Sequence, residues 1–166
     1  MNFSINLKEI KNYFLKKENI FFLLLIIIIF SLDRISKHKI INKFNENSYY
    51  VNDFINFDLI WNIGIGFGLL STESTLFYNF VTFIIGTVIL VLVFILIKSD
   101  NLDKLIYSLI IGGALGNFYD RIIFKAVPDF IDIHYNNFHW FSFNVADIFI
   151  TIGIIIFIIR SLFIKS

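Results

Sequence analysis

Long apolar runs broken by short polar clusters dominate this chain, and their lengths predict its elements. The run Ile20 to Leu32 predicts a first membrane helix over about residues 18–38. Its strictly apolar part is short for about 30 Å of hydrocarbon, so the ends must contribute length. Lys16, Lys17, Lys37 and Lys39 are expected to do so by snorkelling. Basic residues before an apolar stretch also suit a secretory signal. Here Asp33, Arg34 and Lys37 follow instead of a small-residue cleavage site, which favours a retained helix. Three further helices are predicted over about 76–97, 105–124 and 144–162, the second almost uniformly apolar.

The intervening segments differ in kind. Residues 42–60 mix Asn42, Asn45, Asn52 and Asn56 with Tyr49, Tyr50, Phe54 and Phe57, the one stretch with partial strand-like alternation. WNIGIGFGLL (61–70) spaces Gly64, Gly66 and Gly68 by two, which opposes a stable helix and suits a tight backbone path. The expectation is a small extracytoplasmic β-cradle over about 42–68 and a short interfacial helix over about 69–76. Residues 125–143, with the chain's one proline, read as a second outer loop. The fold class is membrane all-α: four transmembrane helices with that cradle and interfacial helix, residues 1–166 forming one integral-membrane domain.

Composition narrows the functional classes. The chain is 57% hydrophobic with mean hydropathy +0.78 and only 16% charged, so lipid is its natural solvent. A net charge of +1 leaves no footprint for nucleic acid. The absence of cysteine excludes disulfides, thiolate catalysis and cysteine-ligated metals. The 22 phenylalanines carry no catalytic meaning. Lys8, Lys11, Lys16, Lys17, Lys98, Lys104, Arg160 and Lys165 against Arg34, Lys37, Lys39, Lys43, Arg121 and Lys125 modestly favour both termini in the cytoplasm. That orientation puts Asp129 and Asp147 near the outer leaflet.

Those two aspartates, 18 positions apart at the mouths of apolar helices, are the strongest chemical signal. A carboxylate there must be paired, hydrated or kept for a purpose. Two carboxylates a few ångströms apart cannot easily both ionise, so they share a proton; one can activate water while the other protonates an amide. Asp147 could instead compensate a helix dipole, and Asn144 could be only an N-cap. Gly112, Gly113 and Gly116 suit close helix packing. Asn117, Asp120 and Arg121 share a helix face, with Asp120 free to pair locally with Arg121 or with another helix. Asp33 and Lys37 form an i, i+4 pair, and Asn62 with Gly64 could offer an amide and bare backbone to an extended peptide. His38, His134 and His139 are scattered, and no spacing among them with nearby carboxylates makes a convincing metal site; neither a nucleophile elbow nor a phosphate loop occurs. A proton- or ion-coupled transporter and a non-catalytic assembly subunit are the competing readings. A transporter would more often show internal repeats, and none is visible.

Five motifs in order, LDRISK (32–37), WNIGIGFGLL (61–70), GGALGNFYDR (112–121), VPDFID (127–132) and FNVADIF (143–149), resemble those of the bacterial lipoprotein signal peptidases, signal peptidase II. The resemblance covers about residues 20–163. It implies an inner-membrane aspartic endopeptidase, blocked by globomycin, that removes signal peptides from diacylglyceryl-modified prolipoproteins. The cut falls on the N-terminal side of the lipid-modified cysteine. By motif position the catalytic pair falls on Asp129 and Asp147. Asp33, Lys37, Asn62, Gly64, Asn117, Asp120, Arg121, Asn144 and Ala146 are implied to support the site or contact substrate. No cofactor or metal is expected; the expected partners are prolipoproteins and membrane lipids, the expected state a monomer, and the active site should lie near the periplasmic face. Three positions depart from the family pattern. Lys125 stands where glycine is usual, Gly66 where alanine is usual, and Pro128 where another residue commonly precedes the aspartate. The substrate class has a physical rationale: an acylated cysteine leaves the bilayer only at about 0.8 kcal/mol per buried methylene, so its peptidase must work at the membrane surface.

Overall fold

Four helices lie where the apolar runs lie, and a small antiparallel sheet sits between them in sequence. The computed structural model describes residues 17–43, 48–64, 75–136 and 138–164. The helices are α1 (Lys17–Lys43), α2 (Thr75–Lys98), α3 (Asn101–Ile123) and α4 (Val145–Ile164); the strands are β1 (Tyr49–Asn52), β2 (Ile55–Asn62), β3 (Val127–Tyr135) and β4 (Phe138–Phe143). Residues 1–16, Gly66, Gly68 and the expected interfacial helix up to residue 74 lie outside the described residues.

Among the described residues, three helices are long and apolar enough to cross a membrane: Lys17–Lys43, Thr75–Lys98 and Val145–Phe163. Leu76, Phe83, Leu90, Leu162 and Phe163 turn outward and exposed, an arrangement that water would penalise and lipid tails would not. The threonines of α2 are satisfied locally. Thr82 and Thr87 each donate to the carbonyl four residues back, at 2.9 Å. The remaining helix, α3, has 23 residues, roughly 35 Å, but carries Asp103 and Lys104 near one end and Asp120 and Arg121 near the other.

α3 is the hub. It packs against α1, α2 and α4, and Ile26, Ile89, Leu96 and Ile111 from three helices form a buried cluster around it. Its small residues make this possible. A Cβ on Gly113 would overlap the backbone carbonyl oxygen of Ala146, and one on Gly116 would overlap the Asp33 carboxylate. Any larger residue would therefore part α3 from α4 or from α1. Asp100 caps the N-terminus of α3, accepting from Leu102 N and Asp103 N at 3.0 Å each. At the other end Phe124 N donates to Asp120 O at 2.7 Å, and Lys125 follows with φ 56°. That left-handed position after a helix is where glycine is favoured, which gives the departure at Lys125 a physical meaning. Lys125→Gly should raise stability by about 0.5–1 kcal/mol, read as a higher thermal midpoint in detergent.

The sheet corrects one expectation. Residues 125–143 are not a loop: β3 and β4 form a hairpin, and the strand order is β1-β2-β3-β4. Half of the cradle thus comes from beyond the expected 42–68. β3 is buried along nearly its whole length, on both faces, so it shows no clean alternation. Pro128 near its start reads as a loop signal, although the first residues of a strand tolerate proline. The β2–β3 register sets Ile60 opposite Asp129, Trp61 opposite Pro128 and Asn62 opposite Val127.

Candidate active site

Asp129 stands near the start of β3 and Asp147 in the first turn of α4, and Asn144 bridges them. Asn144 Nδ2 donates to Asp129 Oδ1 at 2.6 Å. Its backbone N donates to Asp147 Oδ2 at 3.1 Å, while Asp147 N donates back to Asn144 Oδ1 at 3.2 Å. This is a capping box with aspartate in the third helical position. Asn144 is therefore both an N-cap and a clamp on the pair, where sequence alone left these as alternatives.

The other two carboxylate oxygens are also held by amides. Asn62 Nδ2 donates to Asp129 Oδ2 at 2.9 Å, and Asn117 Nδ2 donates to Asp147 Oδ1 at 2.7 Å. Every oxygen of the pair thus accepts from an asparagine, side chain or backbone. Neutral donors orient carboxylates without fixing them as anions, as a directly bound arginine would. Asn62 is itself locked, since its Oδ1 accepts from Gly64 N at 2.8 Å. Burial drives the Asp129 carboxyl up from 3.8 to about 6; the Asn62 hydrogen bond opposes this, and the Asp147 charge adds to it.

Behind the pair lies a buried ion cluster. Lys37 Nζ contacts Asp33 Oδ2 at 2.9 Å, Asp120 Oδ2 at 2.7 Å and Asn117 Oδ1 at 2.8 Å. Lys37 is wholly buried, so its expected snorkelling is wrong: two carboxylates and an amide draw the ammonium inward. Asp120 pairs across helices with Lys37 and with Arg34, whose Nη1 and Nη2 lie 2.6 and 2.8 Å from its oxygens, rather than with neighbouring Arg121. Asp33 Oδ1 accepts from Ala146 N at 3.0 Å, which seats an anion on the N-terminal turn of α4. Arg121 reaches the other way, donating to Gly64 O at 2.5 Å with its guanidinium 5.5 Å from the Tyr78 ring.

All eleven residues singled out from the sequence therefore join one connected network. Sequence reasoning missed Arg34, whose only signal was its place beside Asp33 within LDRISK. It named His134 and His139 but found no convincing metal site; on the sheet Asp132, His134 and His139 bring one ligand atom each to within 4.8 Å of one another.

The chain resembles known proteins over most of its length. Residues 25–163 match the family described as Signal peptidase (SPase) II. A lipoprotein signal peptidase of Pelagibacter ubique (strain HTCC1062) is 44% identical, covering 98% of this chain and 96% of the relative. One from Francisella tularensis subsp. novicida (strain U112) is 38% identical, covering 87% and 93%. A bacterial membrane enzyme solved by the in meso method at 2.3 Å resolution superposes with TM-score 0.73 at 33% identity, covering 87% of this chain and 89% of the other.

Proposed function

The chain belongs to the signal peptidase II family, a family of peptidases, and from that premise we propose that it is an aspartic endopeptidase acting through Asp129 and Asp147. Its substrates are prolipoproteins carrying diacylglyceryl-modified cysteine, cut on the N-terminal side of that cysteine. The observation that carries the mechanism is the bridging of buried Asp129 and half-buried Asp147 by Asn144, with all four carboxylate oxygens held by amide donors.

In this reading the pair holds one proton. The ionised member takes a proton from water as the water attacks the scissile carbonyl, and the protonated member gives its own to the carbonyl oxygen; when the diol collapses, the first passes the water's proton to the leaving nitrogen and a diol hydroxyl returns one to the second, so the pair again holds a single proton. The titration belongs to the pair, so neither residue is a fixed acid or base. Asn62, Asn117 and Asn144 orient the carboxylates, and Asp33, Lys37, Arg34 and Asp120 hold α1, α3 and α4 in register beneath them. Four helices cross the bilayer, α3 included, because its charged residues cluster at its ends or pair with α1. Both termini then face the cytoplasm, and the sheet and Asp129 lie at the periplasmic surface of the inner membrane. The lipid on the substrate supplies binding energy away from the cut, which serves to place the amide. One chain contains the whole pair, which suits a monomer.

The test is cleavage of a diacylglyceryl-modified precursor peptide by the purified full-length protein in detergent, across pH. Product released at the bond before the modified cysteine is expected, with kcat/KM bell-shaped. The alkaline limb reflects loss of the last shared proton, near the raised Asp129 value of about 6 in the free enzyme. In kcat that limb should move higher, because bound lipid excludes water further. Absence of cleavage, or a profile flat from about pH 5 to 9, would overturn the assignment.

A further inference from the structure

Asp132, His134 and His139 lie on the β3–β4 hairpin and form no hydrogen bond with Asp129, Asp147 or the residues that hold them. Asp132 and His134 sit two apart on β3 and so share a face, and His139 of β4 is the cross-strand partner of His134. The two imidazole rings stack at 5.4 Å. His139 Nδ1 lies 2.7 Å from Asp132 Oδ2, and His134 Nδ1 lies 3.6 Å from the same oxygen.

A hydrogen bond accounts for one ring only. It leaves His134 Nδ1 buried and without a partner, on a side chain only 7% exposed. Native structures rarely leave such a nitrogen unsatisfied. Asn56, directly across β2 from Asp132, also has a buried, unpartnered side-chain oxygen. With their protons on Nε2, both imidazoles offer Nδ1 lone pairs toward one carboxylate, and a single divalent cation can satisfy all three. Zinc bonds of about 2.0–2.2 Å place tetrahedral ligand atoms roughly 3.4 Å apart. The observed separations of 2.7 and 3.6 Å, with all three atoms inside 4.8 Å, bracket that value. Two imidazoles and a carboxylate suit zinc better than calcium or magnesium, which prefer all-oxygen sets.

We propose that Asp132, His134 and His139 form a zinc site that clasps β3 to β4, with water completing the coordination. The hairpin it would pin carries Asp129 near its start and leads at its end into Asn144 and α4, so the clasp would stiffen the segment joining the two carboxylates.

The protein should be purified full-length in detergent with a tag free of histidine, stripped with chelator, and titrated with zinc chloride against a chromophoric competitor. One equivalent is expected to bind. His139→Ala should lower affinity at least tenfold, as should Asp132→Asn. The His139 side chain is 58% exposed, so its removal leaves folding undisturbed even if Asp132→Asn does not. His38→Ala, on α1, should leave binding unchanged. Zinc should raise the thermal midpoint of the parent protein and not that of His139→Ala, and cobalt in its place should show the visible bands of a four-coordinate ion. No stoichiometric binding, or binding that His139→Ala leaves intact, would overturn the proposal.

Discussion

Asp129→Asn and Asp147→Asn should each lower kcat for a lipid-modified precursor by about 10⁴-fold or more, with the protein still folded. Each change keeps the side chain's shape and removes its ability to trade a proton. The double variant should be little worse than either single one, because the pair acts as a unit. Losses that multiplied would mean the two carboxylates work independently. Stability supplies a second readout at Asp129. Its folded pKa of about 6 lies above the ordinary 3.8, so the folded protein holds a proton that the unfolded chain has released. That contribution destabilises progressively from about pH 4 and is complete above about 6, where it costs about 3 kcal/mol. Relative to the parent, Asp129→Asn should therefore gain thermal stability as pH climbs through this window. The gain is partly offset because its new amide group must face a donor from Asn62 or Asn144. A difference in midpoint that does not change between about pH 4 and 7 would refute the raised pKa.

How much of this was legible in the sequence depends on the kind of signal each part sends. Helices α1, α2 and α4 announce themselves because lipid-facing and protein-facing residues are both apolar, leaving long unbroken runs. The β3–β4 hairpin does not. A strand covered on both faces loses its period of two, and Pro128 in VPDFIDIHY imitates a loop. The candidate site was legible as a set of residues, since each carboxylate and amide in an apolar chain demands an explanation. Its wiring was not. Nothing local distinguishes Arg34 from Lys37 or says that Lys37 turns inward while Lys39 stays exposed. That choice is made by Asp120, 83 residues downstream on another helix, and Asn117 reaches the same ammonium. The double role of Asn144 was hidden for a similar reason: a cap is a local feature, whereas its second bond goes to β3. The Asp132–His134–His139 group is invisible until the register places His139 opposite His134.

Lys37→Met should destabilise the protein by about 3–5 kcal/mol, a fall in thermal midpoint on the order of 10 °C. Methionine approximates the volume of lysine, so the loss would report charge rather than a cavity. The ammonium has three donors, and each meets an acceptor: buried Asp33 and Asp120 and half-buried Asn117. With it gone, two fully buried carboxylates share only Arg34. Stripping water from a carboxylate that has lost its counter-ion is the largest cost at such sites, and it exceeds what one half-buried arginine shared between two carboxylates can return. Lys37→Arg should rescue less than half of the loss, because a planar fork cannot send donors to three divergent acceptors from one point. Adding Asp120→Asn to Lys37→Met restores charge balance, with Arg34 left to Asp33, and should recover at least half of it. If the double variant is no better than the single one, excess buried charge is not the cause. Cleavage should fall along with stability, through a traceable route. Asn117 holds Lys37 with its oxygen and Asp147 with its nitrogen, so the ammonium fixes which way that amide points. Freed from Lys37, the amide can reverse and present oxygen to a carboxylate. A Lys37→Met protein that keeps parental kcat at a temperature where it is fully folded would show that Asn117 holds Asp147 without help from the ion cluster.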